Sequence, residues 1–437
     1  MEEPRRGRRN RLWVALVIPV VASLVLVGVA WWWAGQAEVR SSYPDVSRPQ
    51  VLWSALPTTN GSVTADSGPV VGLAFRVYPD SFDARADRVY AALDRRIVAF
   101  DARVGSADWW RTVDRATGPV TIDYGDGIVS PDFETYVGTG PATFRVYNDT
   151  EAGDPLIEDL SLGSRVVGIA AYASNSSGGL GSPDLILAAT EDGMLVGIWA
   201  ENHTEAWRTS FPTPIGLAFQ TRTMSGYSMN SAAFTQDGTR AFLRAGNGAV
   251  YGIETATGAI LFTYGSLRAS SDPIAFGSDQ GERFLVGLSD GSLAVFDADG
   301  DLVGVAAVAT SGITRVAAEF DFAIVGAQDG RVARVNLPNG GSAPSVSWTA
   351  QLAGSLAGPP EVVPQQGTVF LADTTGRVTA LRLDGGGLEY RFLVCESLSA
   401  GPLAWVPRQS LNYFVGVGCT DGSVFALDAR AAPRPVP

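Results

Sequence analysis

One pattern recurs through most of this 437-residue chain and restricts its fold more than any other feature. Its clear copies are RVYAALDRRIVAFDARVGSADWW from Arg88, DLILAATEDGMLVGIWAENHTEAW from Asp184, RAFLRAGNGAVYGIETATGAILF from Arg240 and RFLVGLSDGSLAVFDADGDLVG from Arg283. FAIVGAQDGRVARVNLPNG from Phe322, TVFLADTTGRVTALRLDGGGLEY from Thr368 and YFVGVGCTDGSVFALDAR from Tyr413 continue it, and a weaker copy starts at Thr135. That makes eight. Each copy reads as an apolar strand, a tight turn, an alternating strand, a second turn carrying Gly, and a strand with a large aromatic. Asp192-Gly193, Asn247-Gly248, Asp290-Gly291, Asp329-Gly330 and Asp421-Gly422 suit the positive φ angles of two-residue hairpins. With Gly376, these glycines are 55, 43, 39, 46 and 46 residues apart, the period of a four-stranded propeller blade. The predicted fold is all-β, an eight-bladed β-propeller of four-stranded antiparallel blades over residues 51–430.

The 50 Gly and 25 Pro are then turn residues, and 46% hydrophobic content supplies the core. Apolar stretches between copies, such as PIGLAF from Pro214 and GPLAWV from Gly401, read as the innermost strands. The outer-strand aromatics Trp110, Trp207, Phe262, Trp348 and Tyr390 are predicted to dock onto neighbouring blades, each burying roughly 150–250 Å². The eighth copy ends at Asp428-Ala429-Arg430 without an aromatic strand, whereas QVLWSAL near the start offers one. Trp53 is therefore predicted to complete the last blade and close the ring, removing open sheet edges.

Ahead of the repeats, RRGRRNR abuts Leu12–Trp33, a charge-free run long enough to cross a bilayer as one helix. Five flanking arginines place residues 1–11 in the cytoplasm, and Trp31, Trp32 and Trp33 mark the far interface. A cleaved signal peptide is the competing reading, but the run exceeds the usual roughly 7–15 residues of a signal core. Residues 34–50 form a tether and residues 431–437 a tail. The expected location is the cell membrane, single-pass, with the propeller outside the cytoplasm.

The basic residues are all Arg. Without lysine there is no phosphate-loop Lys and no Schiff base, and the single His203 cannot build a multi-His zinc site. Beyond residue 11 the chain keeps 27 Arg against 43 acids, a net charge of −16, which argues against nucleic-acid binding.

The run Val98-Ala99-Phe100-Asp101 followed by Gly105 and Trp110, together with Val424-Phe425-Ala426-Leu427-Asp428, resembles the pyrroloquinoline-quinone repeat. The resemblance spans about residues 51–430. It implies membership among either quinoprotein dehydrogenases, which hold quinone and calcium in the central funnel, or non-catalytic members such as the scaffold of outer-membrane β-barrel assembly. The dehydrogenases place adjacent cysteines over the cofactor, whereas Cys395 and Cys419 here are 24 residues apart. A scaffold with envelope or membrane proteins as partners is the expected function, with no catalytic residue, metal or cofactor assigned. A quinone-dependent oxidoreductase and a ligand- or carbohydrate-binding sensor are the alternatives.

Other candidates are weaker. Outside the cytoplasm Cys395 and Cys419 can form a disulfide across the closing blade, free buried thiols being the alternative. Asp297-Ala298-Asp299-Gly300-Asp301 is half a calcium loop lacking its later Glu. Asp123, Asp126, Asp132 and Glu134 form an acidic cluster that could serve glycoside hydrolysis but more simply faces water. His203 reads as a solvated turn residue. Sequons at Asn60, Asn148, Asn175 and Asn202 fit exposed turns. Two variable loops, SNSSGGLGSP with Ser174 and Asn175, and TRTMSGYSMN with Met224 and Tyr227, are the candidate partner-binding rim.

Overall fold

The computed structural model describes residues 51–55, 58–59, 62–63, 68–76, 87–124, 133–140, 142–148, 156–172, 185–200, 202–217, 221–224, 228–231, 233–235, 237–278, 281–319, 321–337, 343–406 and 413–429. The chain divides into two compact units, one covering Arg48–Ala431 and the other Met1–Ser47 with Ala432–Pro437. Only the first is described. The anchor at 12–33, the tether at 34–50 and the tail at 431–437 lie outside the described residues, among which no helix is long and apolar enough to cross a membrane.

Eight four-stranded antiparallel sheets are present among the described residues. Blade one runs from the inner strand Val70–Arg76 through Arg88–Leu93 and Arg96–Asp101 to the outer strand Ala107–Thr112. Blades two to seven repeat that order over residues 116–161, 166–210, 215–264, 274–307, 313–351 and 361–393. The hairpins form because Asp-Gly pairs supply the left-handed backbone: Gly193, Gly291, Gly330 and Gly422 have φ between 82° and 87°. Second strands are buried on both faces, as in Leu185–Thr190 and Phe322–Ala327, while outer strands alternate toward solvent.

Blade eight takes three strands from one end of the sequence and one from the other. Leu398–Trp405, Phe414–Cys419 and Val424–Asp428 are joined by Val51–Ala55, with Trp53 opposite Ala426 and Ala55 opposite Val424.

Register shows how the blades hold together. The outer-strand residue opposite the fourth residue of each third strand, or the third in blades four and eight whose third strands start one residue later, is Trp109, Glu158, Trp207, Phe262, Gly304, Trp348, Tyr390 and Trp53 in blades one to eight. Three of these indoles donate to a backbone carbonyl of the next blade: Trp53 to Ala102 at 3.2 Å, Trp207 to Thr255 at 2.8 Å and Trp348 to Leu383 at 2.9 Å. Each ring lies over the glycine three residues further on, Gly105, Gly258 and Gly386, where a Cβ would collide with it. All three glycines have φ near 70°, so two independent reasons exclude a side chain. Phe262 covers Gly300 in the same way and stacks on Phe284 of blade five at 5.8 Å.

The expectation for blade one is corrected. Trp110 is 37% exposed, lies opposite Val98 and carries Arg96 over its ring at 5.2 Å. Its neighbour Trp109 points inward, 5.7 Å from Tyr147 of blade two. Successive strand residues face opposite sides, so only one member of the Trp-Trp pair can dock.

Candidate functional site

Every inner strand runs the same way along the propeller axis, so all connections from inner to second strand emerge at one face. In blades eight and one to four they pass through residues 406–413, 77–87, 125–132, 173–184 and 217–239; in blades five to seven only through 279–280, 319–321 and 364–367. The longer connections thus fall on five consecutive blades, eight and one to four, and the longest of them is in blade four. Within the blade-four connection Thr221–Met224 pairs with Ser228–Ser231, Met224 opposite Ser228. Ser228–Ser231 lies against Ala116–Tyr124 and Val166–Tyr172, the inner strands of blades two and three. The hairpin therefore leaves its own blade and reaches across two neighbours. Ser174, Asn175 and Tyr227 lie outside the described residues, and Met224 is placed by its backbone alone.

Cys395 and Cys419 are bonded, with sulfurs 2.14 Å apart and Cα atoms 6.5 Å apart. The bond joins the chain just after blade seven's outer strand to blade eight's second strand, across the boundary where the repeat is interrupted. Tyr390 packs there against Leu427 and Ala429, and its buried hydroxyl has no hydrogen-bond partner among the described residues. Burial, with Asp428 and Glu389 nearby, raises its pKa well above the ordinary phenol value.

The weaker candidates resolve differently. Asp297 Oδ1 accepts the backbone N–H groups of Asp299 and Asp301, and Asp299 pairs with Arg240 of blade four at 2.7 Å. The segment is a capped turn tied to the neighbouring blade. Among the described residues no group of three His, Cys, Asp or Glu side chains is placed to hold a metal. Asp123 and Glu134 are cross-strand partners in blade two; Asp126 and Asp132 lie outside the described residues. Of the sequons, Asn202 caps an exposed turn by accepting from the Thr204 N–H at 3.0 Å, while Asn148 ends a strand of blade two and Asn60 and Asn175 are not described.

His203 is not solvated. It is 8% exposed with φ of 55°, and its N–H donates to Trp199 O at 2.9 Å. Gly105 and Gly258 donate to Asp101 and Glu254 in the same way, each four residues before the docking aromatic of its blade. His203 stands four before Trp207, and that spacing was the available signal. It occupies the receiving position opposite blade two, whose own docking position holds Glu158 instead of an aromatic.

Sequence reasoning also passed over two charged residues on inner strands, Arg315 in Ile313–Ala318 and Glu361 in Glu361–Val363. They line a cavity of about 160 Å³ on the axial side of blades six, seven, eight and one. Burial pushes the Glu361 carboxyl up to about 8, with Glu319 adding to the rise and an Ala404 hydrogen bond opposing it. Burial lowers the Arg315 pKa; Asp272 opposes that, but Asp272 is held by Arg244 at 3.1 Å. Arg315 donates from one terminal nitrogen to Thr314 O at 3.2 Å, and its Nε is buried without a partner among the described residues. The signal was a lone charge inside an apolar inner strand.

Residues 159–327 match the family of outer membrane protein assembly factor BamB. No curated protein matches significantly over its sequence. The structure is similar to BamB from Moraxella catarrhalis at 16% identity, with a TM-score of 0.59 over 87% of this chain and 99% of that one. Sqt1 from Saccharomyces cerevisiae is 11% identical, with a TM-score of 0.63 over 83% and 96%. Sqt1 from Chaetomium thermophilum, bound to the N-terminus of ribosomal protein L10, is 12% identical, with a TM-score of 0.59 over 83% and 97%. At such identities these likenesses show the fold: the chain is a β-propeller, with a stretch from the end of blade two into blade six that resembles BamB.

Proposed function

We propose that the chain is a non-catalytic scaffold in a cell-envelope complex, anchored to a membrane by residues 12–33, with its propeller outside the cytoplasm and protein partners on the loop-bearing face. The blade-four hairpin carries this reading, because it lies across the inner strands of blades two and three at the face where the other long connections emerge. A rigid ring presenting variable loops on one side is suited to hold partners. The BamB-like stretch contains this hairpin, and a propeller of related fold is bound to a protein segment in the Sqt1 structure. The bond between Cys395 and Cys419 further supports a non-catalytic role, since it commits both cysteines to a blade boundary.

The test is purification from membranes in detergent, comparing the full chain with a variant in which 221–231 is replaced by a short Gly-Ser link. Stable membrane proteins should accompany the full chain and be lost from the variant while its near-ultraviolet circular dichroism is retained. Partners that stay bound to the variant would refute the hairpin face, and a quinone chromophore with stoichiometric calcium would refute the scaffold.

A further inference from the structure

We propose that the axial cavity bounded by Arg315 and Glu361 is a binding site for a short-chain organic monocarboxylate. This goes beyond the scaffold reading and does not rest on it. The cavity is lined near the starts of the inner strands, at the end of the axis opposite the face with the long connections.

Its chemistry is lopsided. Arg315 brings a guanidinium whose natural counter-ion, Asp272, is already engaged by Arg244, and whose buried Nε has no acceptor. A buried charged donor left without a partner costs more than a neutral one, because its desolvation goes uncompensated. Burial raises the Glu361 carboxyl to about 8, which favours its protonated form near neutral pH, where it offers an O–H donor instead of a counter-charge. Among its lining residues the site thus combines a cation with a second donor, while the nearest other carboxylates, Asp272 and Glu319, lie outside the lining and Asp272 is held by Arg244. A bound carboxylate accepts from both donors. Val71, Leu73, Pro402 and Leu403 form an apolar part of the wall beside Ser399 and glycine backbone, which suits a short hydrocarbon tail better than a fully hydrated inorganic anion. A volume of about 160 Å³ lies below the roughly 300 Å³ of pockets for drug-sized ligands, which limits the tail to a few carbons.

Ring construction leaves the site open. Arg315 follows a bulge between Ile313 and Arg315, at the place where blade one has Gly72 and blade three Gly168 after bulges of their own. Where those blades carry no side chain, blade six carries a guanidinium.

The test is calorimetric titration of the full-length protein with propionate near neutral pH, with propionamide and inorganic phosphate as controls. Saturable one-site binding is expected for propionate, at about tenfold or more lower affinity for both controls, as loss of a charged hydrogen bond implies. Arg315→Gln should weaken propionate binding by about tenfold or more, whereas Glu361→Gln, which keeps an N–H donor, should stay within about threefold. Leu73→Trp, which fills the cavity and leaves the charges alone, provides a second variant should Arg315→Gln fail to fold, and it should abolish binding. Near-ultraviolet circular dichroism checks each variant. Absence of propionate binding, binding undiminished in a folded Arg315→Gln or Leu73→Trp protein, or equal binding of propionamide or phosphate would each overturn the proposal.

Discussion

Three kinds of blade boundary can be set side by side in this ring. At boundaries eight to one, three to four and six to seven, an indole from one blade covers a glycine of the next and donates to a carbonyl three residues before it. At two to three and five to six the partners are reversed. Blade two has Glu158 at the docking register and blade three has the buried His203 at the receiving turn; blade five has Gly304, against which Pro344 of blade six lies so closely that a Cβ would approach its ring to 2.6 Å. What the ring demands at each boundary is a filled volume, supplied from either side. Boundary seven to eight is a third case: the Tyr390 hydroxyl has no partner among the described residues, and a covalent bond crosses instead.

Substitutions can break this comparison. Trp53→Ala should have the largest effect, about 3–5 kcal/mol of lost stability in denaturant titration, because it removes a buried indole at the point of closure. A loss under about 1 kcal/mol would mean that closure rests on the strand alone. Gly258→Val should follow at about 2–5 kcal/mol, from unfavourable backbone and collision with Trp207. Cys395→Ser should cost about 3 kcal/mol on the loop-closure argument, and adding reductant should destabilise the parent by the same amount and leave the variant unchanged. His203→Gly sharpens the contrast most and shifts least: relief of a left-handed backbone offsets part of the lost packing, for a net cost of about 1 kcal/mol. If that variant is instead more stable, the imidazole is not filling the missing aromatic's place.

Titration supplies one more expectation. Glu361 is raised in the folded state, so the native protein holds its proton more tightly than the unfolded chain does. Its contribution is therefore flat below the ordinary glutamate range, declines as pH rises toward about 8, and stays low above it. Glu361→Gln should remove that decline, by up to a few kcal/mol, in stability curves measured between mildly acidic and mildly alkaline pH.

The repeat was legible because turn chemistry is local: Asp-Gly must sit where φ is positive, whatever surrounds it. Ring closure through Trp53 could also be read, since the eighth copy lacks an aromatic strand. The choice between Trp109 and Trp110 was not legible from composition, because it depends on which face of Ala107–Thr112 the pleat turns inward. His203 was misjudged for a related reason. A lone histidine in a polar turn resembles a surface residue until its spacing to Trp207 is set beside Gly258 and Phe262. Arg315 and Glu361 escaped notice because converging on an axis is a property of eight strands together, and no single strand records it.

The strand that completes the ring is among the first parts of the propeller to be synthesised, and its partner Val424–Asp428 is nearly the last. At roughly 5–20 residues per second, translation separates the two by on the order of half a minute. Throughout that interval Val51–Ala55 has no native neighbour and blade one has no indole to seat on Gly105. A chain cut short anywhere before blade eight keeps uncovered blade faces on either side of the gap. Closure thus serves as a proofreading step, in which only a full-length chain can bury its ends.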